Sequence, residues 1–198
     1  VLSAFAQQAA HSPHDEGVRQ VAALSARLSY TLMCLTLCWG VLTSTGWVQR
    51  TTGRQALRSG HLVLATLALA FGALHALSFG FLDDERFDLL RLTVPLLPGG
   101  LVRHALGIVG IELMLAIAIS TAVQRLLVYR RWLWLHRLAY PAVGLTVLHS
   151  LFGAIANGHL AVLWLGGITL FVPTALLAAL RFVPTGVLTR SGLVEEER

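Results

Sequence analysis

Lysine is missing altogether: the 15 basic residues are all arginine, set against 10 acidic ones for a net charge of +5. Charge of either sign is scarce, at 13% of the 198 residues, while 56% are hydrophobic and the mean hydropathy is +0.70. So little charge excludes an ordinary soluble domain and leaves an integral membrane protein, one all-α helical bundle without a separate globular domain. Its arginines then read as a topology signal and not as a nucleic-acid footprint. Cysteine is nearly absent. Cys34 and Cys38 stand four residues apart on a predicted membrane helix, which excludes a disulfide framework and a zinc pattern and fits helix packing. Also lacking are a GxGxxG after a strand, a Walker-type loop and any soluble stretch long enough for a dinucleotide fold, so the chain by itself is not expected to use a nicotinamide cofactor.

What is present is a series of apolar runs of about 20 residues, the length that a bilayer requires. Residues 1–20, with HSPHDEG at their centre, read as a polar outer lead-in, and 21–182 as the membrane domain. Five spans are expected, at about 21–45, 61–81, 104–125, 132–150 and 160–182. The loop after the first carries Arg50, Arg54 and Arg58 without an acid, and that after the third carries Arg130 and Arg131. Both are inside by charge. The loop after the second span, with Asp83, Asp84, Glu85 and Asp88, is outside, and its VPLLPGG segment cannot continue a helix. This topology has the N-terminus outside and a cytoplasmic C-terminus, in the plasma membrane. The chain opens on Val1 and ends on the charged SGLVEEER, so 183–198 is expected to be a cytoplasmic tail cut short before a downstream segment.

Two spans hold paired histidines. Trp132 to Ser150 contains His136, His149 and Arg137, and His61 and His75 flank the run LVLATLALAFGAL. Titratable side chains inside an apolar span are costly and mark function by default. Spacings of 14 and 13 residues on two helices suggest two stacked bis-histidine haem sites. Since the expected second and fourth spans are parallel, His61 pairs with His136 near the inner face and His75 with His149 toward the outer. At about 1.5 Å per residue the two levels lie roughly 20 Å apart. Imidazole on both sides saturates an iron and favours electron transfer over oxygen binding. On a straight helix 14 residues end about 40° from whole turns, so His61 and His75 share a face, whereas 13 residues end about 140° out of phase. The fourth span must therefore bend between His136 and His149, for which Pro141 is a ready cause, or meet its two haems from different sides. The plainer alternative is four buried structural histidines.

The two spaced pairs, the segment WLWLHRLAY around His136 and the intervening antiparallel span resemble the ferric-reductase-like transmembrane domain. That superfamily contains NADPH oxidases, ferric reductases and the haem-binding membrane subunit of a periplasmic methionine sulfoxide reductase system. The resemblance implies two b-type haems on His61, His136, His75 and His149, with electrons passing from the cytosol to the outer face. It also implies that Arg27 stands by the outer haem. Three departures accompany it. No flavin and NADPH domain follows Phe182, Phe79 occupies the place of a histidine at the oxidases' oxygen-reducing site, and Ala142 stands where those oxidases put an aromatic between the haems, a gap that Phe71 would fill.

Haem propionates want arginine partners, and Arg54, Arg58, Arg130, Arg131 and Arg137 lie near the inner level, with lipid headgroups as the competing reading. Glu112, alone in the third span, is placed to orient a ligand imidazole, to relay a proton or to sit as a structural acid. The leading function is a transmembrane b-type cytochrome passing electrons from a cytoplasmic flavoprotein or ferredoxin-type donor, or a missing downstream domain, to an unidentified acceptor outside. The alternatives are a haem-containing structural or sensory subunit of a larger respiratory complex, and a channel or transporter bundle without haem.

Overall fold

The computed structural model describes residues 12–83, 87–97, 100–161 and 166–190. The first 11 residues of the expected lead-in, Asp84, Glu85, part of the fifth span and the tail beyond Arg190 therefore lie outside the described residues. Helices account for nearly everything described: α1 (Pro13–Thr45), α2 (Gln49–Thr52), α3 (Arg54–Ser78), α4 (Leu89–Thr93), α5 (Val102–Ala122), α6 (Tyr129–His136), α7 (Ala139–Ala156), α8 (Val172–Leu180) and α9 (Thr185–Arg190). No strand occurs among the described residues. Four helical segments are long and apolar enough to cross a bilayer: Pro13–Thr45, Arg54–Phe81, Val102–Ala122 and Tyr129–Ala156. The chain is by this measure a multi-pass membrane protein. Within the expected fifth span the described part is a π-helical turn, Gly167–Phe171, running into α8.

The first and third helices begin where backbone chemistry allows rather than where apolar sequence begins. Residues 13–20, expected as a lead-in, belong to α1 because Ser12 caps it: the Asp15 N–H donates to Ser12 Oγ at 3.1 Å, and Pro13 fills the first helical position. Asp15, fully buried, accepts the Asp83 N–H at 2.8 Å and so ties the start of α1 to the segment after α3. Similarly α3 starts at Arg54, seven residues before His61, after Gly53 turns the chain with φ of 79°. Arg54, Arg58 and His61 consequently share one stripe of a single helix.

The fourth span is not continuous. It divides into α6 and α7 at Arg137 and Leu138, one turn ahead of Pro141. Proline has no N–H to give to the carbonyl four residues back, which is that of Arg137. Arg137 O is bonded instead by the Tyr140 N–H at 3.2 Å, and Leu138 donates to Leu135 at 3.0 Å, both tighter than α-helical closure. Pro141 itself sits in the first turn of α7, where it is tolerated.

Two compact units divide the chain. The first comprises 1–28 and 70–149, with Ala22, Ser25, Leu82, Ala105, Ser120, Ala142 and Val143 in its interior. The second comprises 29–69 and 150–198, with Ser29, Met33, Cys34, Val41, Leu57, Ala68 and Thr174 inside. Small residues predominate because helices associating in lipid gain from close backbone approach rather than from hydrophobic burial. Hydroxyls are satisfied within the helices: Thr36, Thr43, Ser78, Thr121 and Thr146 each donate to the carbonyl four residues back, at 2.7–2.9 Å. Large apolar side chains such as Leu62, Val63, Leu115 and Ile119 are outward, as a lipid-facing surface requires.

Candidate functional site

In the first unit the structure brings His75 and His149 together, with ring centroids 6.1 Å apart and ring planes at 68°. Neither imidazole is held by a side chain. His75 Nδ1 meets Ala22 O of α1 at 2.9 Å, and His149 Nδ1 meets Arg103 O of α5 at 2.6 Å. A carbonyl can only accept, so each Nδ1 carries the proton and each Nε2 is left as the basic nitrogen for a metal. A main-chain carbonyl on the remote nitrogen is the usual device for orienting a metal-ligating histidine. Metal–nitrogen bonds of about 2.0 to 2.1 Å, with each nitrogen a little over ~1 Å from its ring centre, put two trans imidazoles about 6 Å apart. The 6.1 Å between the two centroids is of the order that two imidazoles on one metal would have.

Glycine makes room for this arrangement. A Cβ on Gly107 would lie 2.8 Å from His149 Nδ1 and 2.9 Å from its Cε1, so α5 passes the ring at a distance that only glycine permits. Phe79 packs edge-on against His75 with centroids 5.3 Å apart. Phe87 then touches Phe79 at 5.8 Å and His104 at 5.5 Å, lining this end with aromatic rings. Ala142, expected to face a gap between the haems, is fully buried, and its carbonyl lies 3.6 Å from where a Gly110 Cβ would be. An aromatic ring does not fit there.

His61, in the second unit, repeats the pattern. Its Nδ1 meets Thr36 O of α1 at 3.1 Å, and a Cβ on Gly40 would come 3.1 Å from its Cε1. The contacts of α1 with α3 step by seven residues in each direction: Ala22 with His75, Ser29 Oγ donating to Ala68 O at 2.9 Å, and Thr36 with His61. The 14-residue interval between His61 and His75 is two such steps of seven. His136, in the first unit, ends α6 with its ring stacked on Trp132, centroids 5.0 Å apart and planes at 24°.

The expected supporting residues are all exposed. Arg54 and Arg58 are exposed on the first two turns of α3, Arg130 and Arg131 on the first turn of α6, and Arg137 caps the end of α6, also exposed. Arg27 is exposed on α1, five residues past the carbonyl that holds His75. Both Nδ1 atoms of the outer pair already bond to carbonyls, and Glu112 is exposed on the side of α5 opposite Gly107 and Gly110. Elsewhere one group of possible metal ligands converges among the described residues, His14 Nδ1 lying 3.4 Å from Asp15 Oδ1 and 3.3 Å from Asp83 Oδ2. No family model, curated protein or solved structure matches the chain.

Proposed function

We propose that the protein is a transmembrane b-type cytochrome of the ferric-reductase-like kind, with five spans, an outer N-terminus and a cytoplasmic C-terminus, in the plasma membrane. The observation that carries this reading is the His75/His149 pair: two imidazoles on different helices, 6.1 Å apart, each with Nδ1 fixed by a carbonyl. With each Nδ1 given to a carbonyl, both rings keep Nε2 as the nitrogen that a metal would take.

Outer haem would be held by His75 and His149, and inner haem by His61 and His136; bound there, haem supplies a one-electron couple. The residues of the chain do the rest. Ala22, Thr36 and Arg103 hold three imidazoles in one tautomer through their carbonyls, and the proton stays on Nδ1 through a redox cycle. With two histidines holding it, an iron would have no position left for oxygen or another small molecule, which would suit outer-sphere transfer. Phe79, Phe87 and the apolar faces of α3 and α7 keep water away from the outer pair. Arg54 and Arg58, on the same stripe of α3 as His61, and Arg131 and Arg137, flanking His136, supply cations for the inner propionates and a positive face for a cytoplasmic flavoprotein or ferredoxin-type donor. A pyridine haemochrome assay on the pure protein tests this: two b haems per chain are expected, and a haem-free chain, or one haem, refutes the two-level arrangement.

A further inference from the structure

Glu112 stands at the middle of α5, ten residues from Val102 and ten from Ala122, so it lies about 15 Å from either end of the helix. Around it the helix is uniformly apolar: Glu112 is its only acid, and past Arg103 and His104 nothing else on it is titratable. Its side chain is exposed, and among the described residues no hydrogen bond or ion pair engages it. A carboxylate at this depth facing hydrocarbon is strongly disfavoured, and where acids do occur inside spans they are paired or face a lined interior. Here the interior is elsewhere: Gly107 and Gly110 pack against His149 and Thr146 on the other side of α5.

Below Glu112 the same side of the helix presents Leu115, 53% exposed, Ala116, Ile119, 56% exposed, and Val123. At intervals of three and four residues these form one stripe with the acid at its upper end. A bare apolar stripe would need no partner other than lipid. The acid changes that, because lipid tails offer it neither a cation nor a donor. A second copy of the chain is a poor occupant: a symmetric crossing through the middle of α5 brings two Glu112 carboxylates together, and like charges in a shared site oppose one another.

We infer that the stripe from Glu112 to Val123 is the docking surface for a membrane-spanning helix of a different protein, one that carries an arginine or lysine near its midpoint to pair with Glu112. The pairing fixes the depth and rotation of the partner, and Leu115 and Ile119 pack along it. This inference does not depend on haem. It gives the chain a place as one subunit of a membrane complex, with α5 as the element that meets the other subunit.

The test uses the full chain, fluorescently labelled, in lipid bilayers together with a labelled synthetic helix of leucine and alanine bearing one central arginine, and a control helix with leucine in that place. Energy transfer should report association of the arginine helix at least tenfold tighter than the control. Glu112→Leu should remove the difference, and Glu112→Gln, which keeps the shape, should reduce it several-fold. Ile119→Trp should weaken binding, whereas Leu62→Trp, on the exposed side of α3, should not. Equal binding of the two helices, or discrimination that survives Glu112→Leu, would overturn the inference. So would association of labelled chains with one another that is lost in Glu112→Leu, since the surface would then belong to a second copy.

Discussion

Gly107→Ala is expected to destabilise the protein, against the ordinary direction of a glycine to alanine change in a helix. Alanine gains about 1 kcal/mol over glycine in a helix interior from backbone entropy alone. At position 107 the new methyl would lie 2.8 to 3.1 Å from three atoms of the His149 ring, closer than real Cβ contacts. Either the ring moves, losing its 2.6 Å bond from Nδ1 to Arg103 O, or α5 and α7 separate. Overpacking a closed site costs ~1 to 3 kcal/mol, and a lost hydrogen bond with a buried polar group about 1 to 3 kcal/mol. Set against the gain, the net loss is on the order of 1 to 5 kcal/mol. Gly144→Ala is the comparison, since a Cβ there meets nothing within 4 Å and should be neutral or stabilising. Thermal unfolding in detergent measures both. If Gly107→Ala unfolds at the same temperature as Gly144→Ala, the close approach of α5 to His149 is wrong, and with it the argument that glycine and carbonyl together position that ligand.

Gly40→Ala should show the same effect more weakly, because its methyl would come no nearer than 3.1 Å to His61. His75→Ala and His149→Ala should each remove the outer haem, and His61→Ala and His136→Ala the inner one; a His61→Ala/His149→Ala double mutant that keeps a bis-histidine haem would overturn the pairing. In stopped-flow reduction NADPH alone should do nothing, while a reduced acidic carrier protein should reduce the haems at a rate that falls as salt rises. Rapid reduction by NADPH, or carrier reduction indifferent to salt, would refute the arginine docking face.

The helical class and the crossing segments were legible because hydropathy reads depth directly: the expected 104–125 and the observed Val102–Ala122 differ by a few residues. Helix starts were missed because a helix extends past the membrane wherever a cap permits. The cap at Ser12 and Pro13 was in plain view and signals a start as clearly as any apolar run. For Glu112 the sequence gives depth along the helix but not rotation, and the structure leaves it exposed on the side of α5 away from Gly107 and Gly110. The carbonyls of Ala22, Thr36 and Arg103 leave no side-chain signature at all, since any residue type has one. Even so, Ala22, Ser29 and Thr36 are small residues at heptad spacing, and they answer the 14-residue interval of His61 and His75. That correspondence between two segments was available before any coordinates.

The 13-residue interval between His136 and His149 leads to the last prediction. An unbroken helix would put these imidazoles about 140° apart, on nearly opposite sides, where two haems on one seam cannot both be met. The break at Arg137 and Leu138 lies four and three residues ahead of Pro141, where a missing N–H acts. If proline causes the break, Pro141→Ala supplies a donor for Arg137 O and allows α6 and α7 to join. A proline inside a helix costs ~3 kcal/mol, but at the first turn of α7 most of that is avoided, so the joined helix should gain on the order of 1 kcal/mol. His149 stays where Arg103 and Gly107 hold it. His136, at the end of the shorter helix, is the ring that rotates away. The expected result is a protein of equal or higher unfolding temperature that retains the outer haem and loses the inner one, a combination that general damage does not produce. Two retained haems would mean that tertiary packing, and not Pro141, sets the break, and that the odd spacing is met by approach of the haems from different sides.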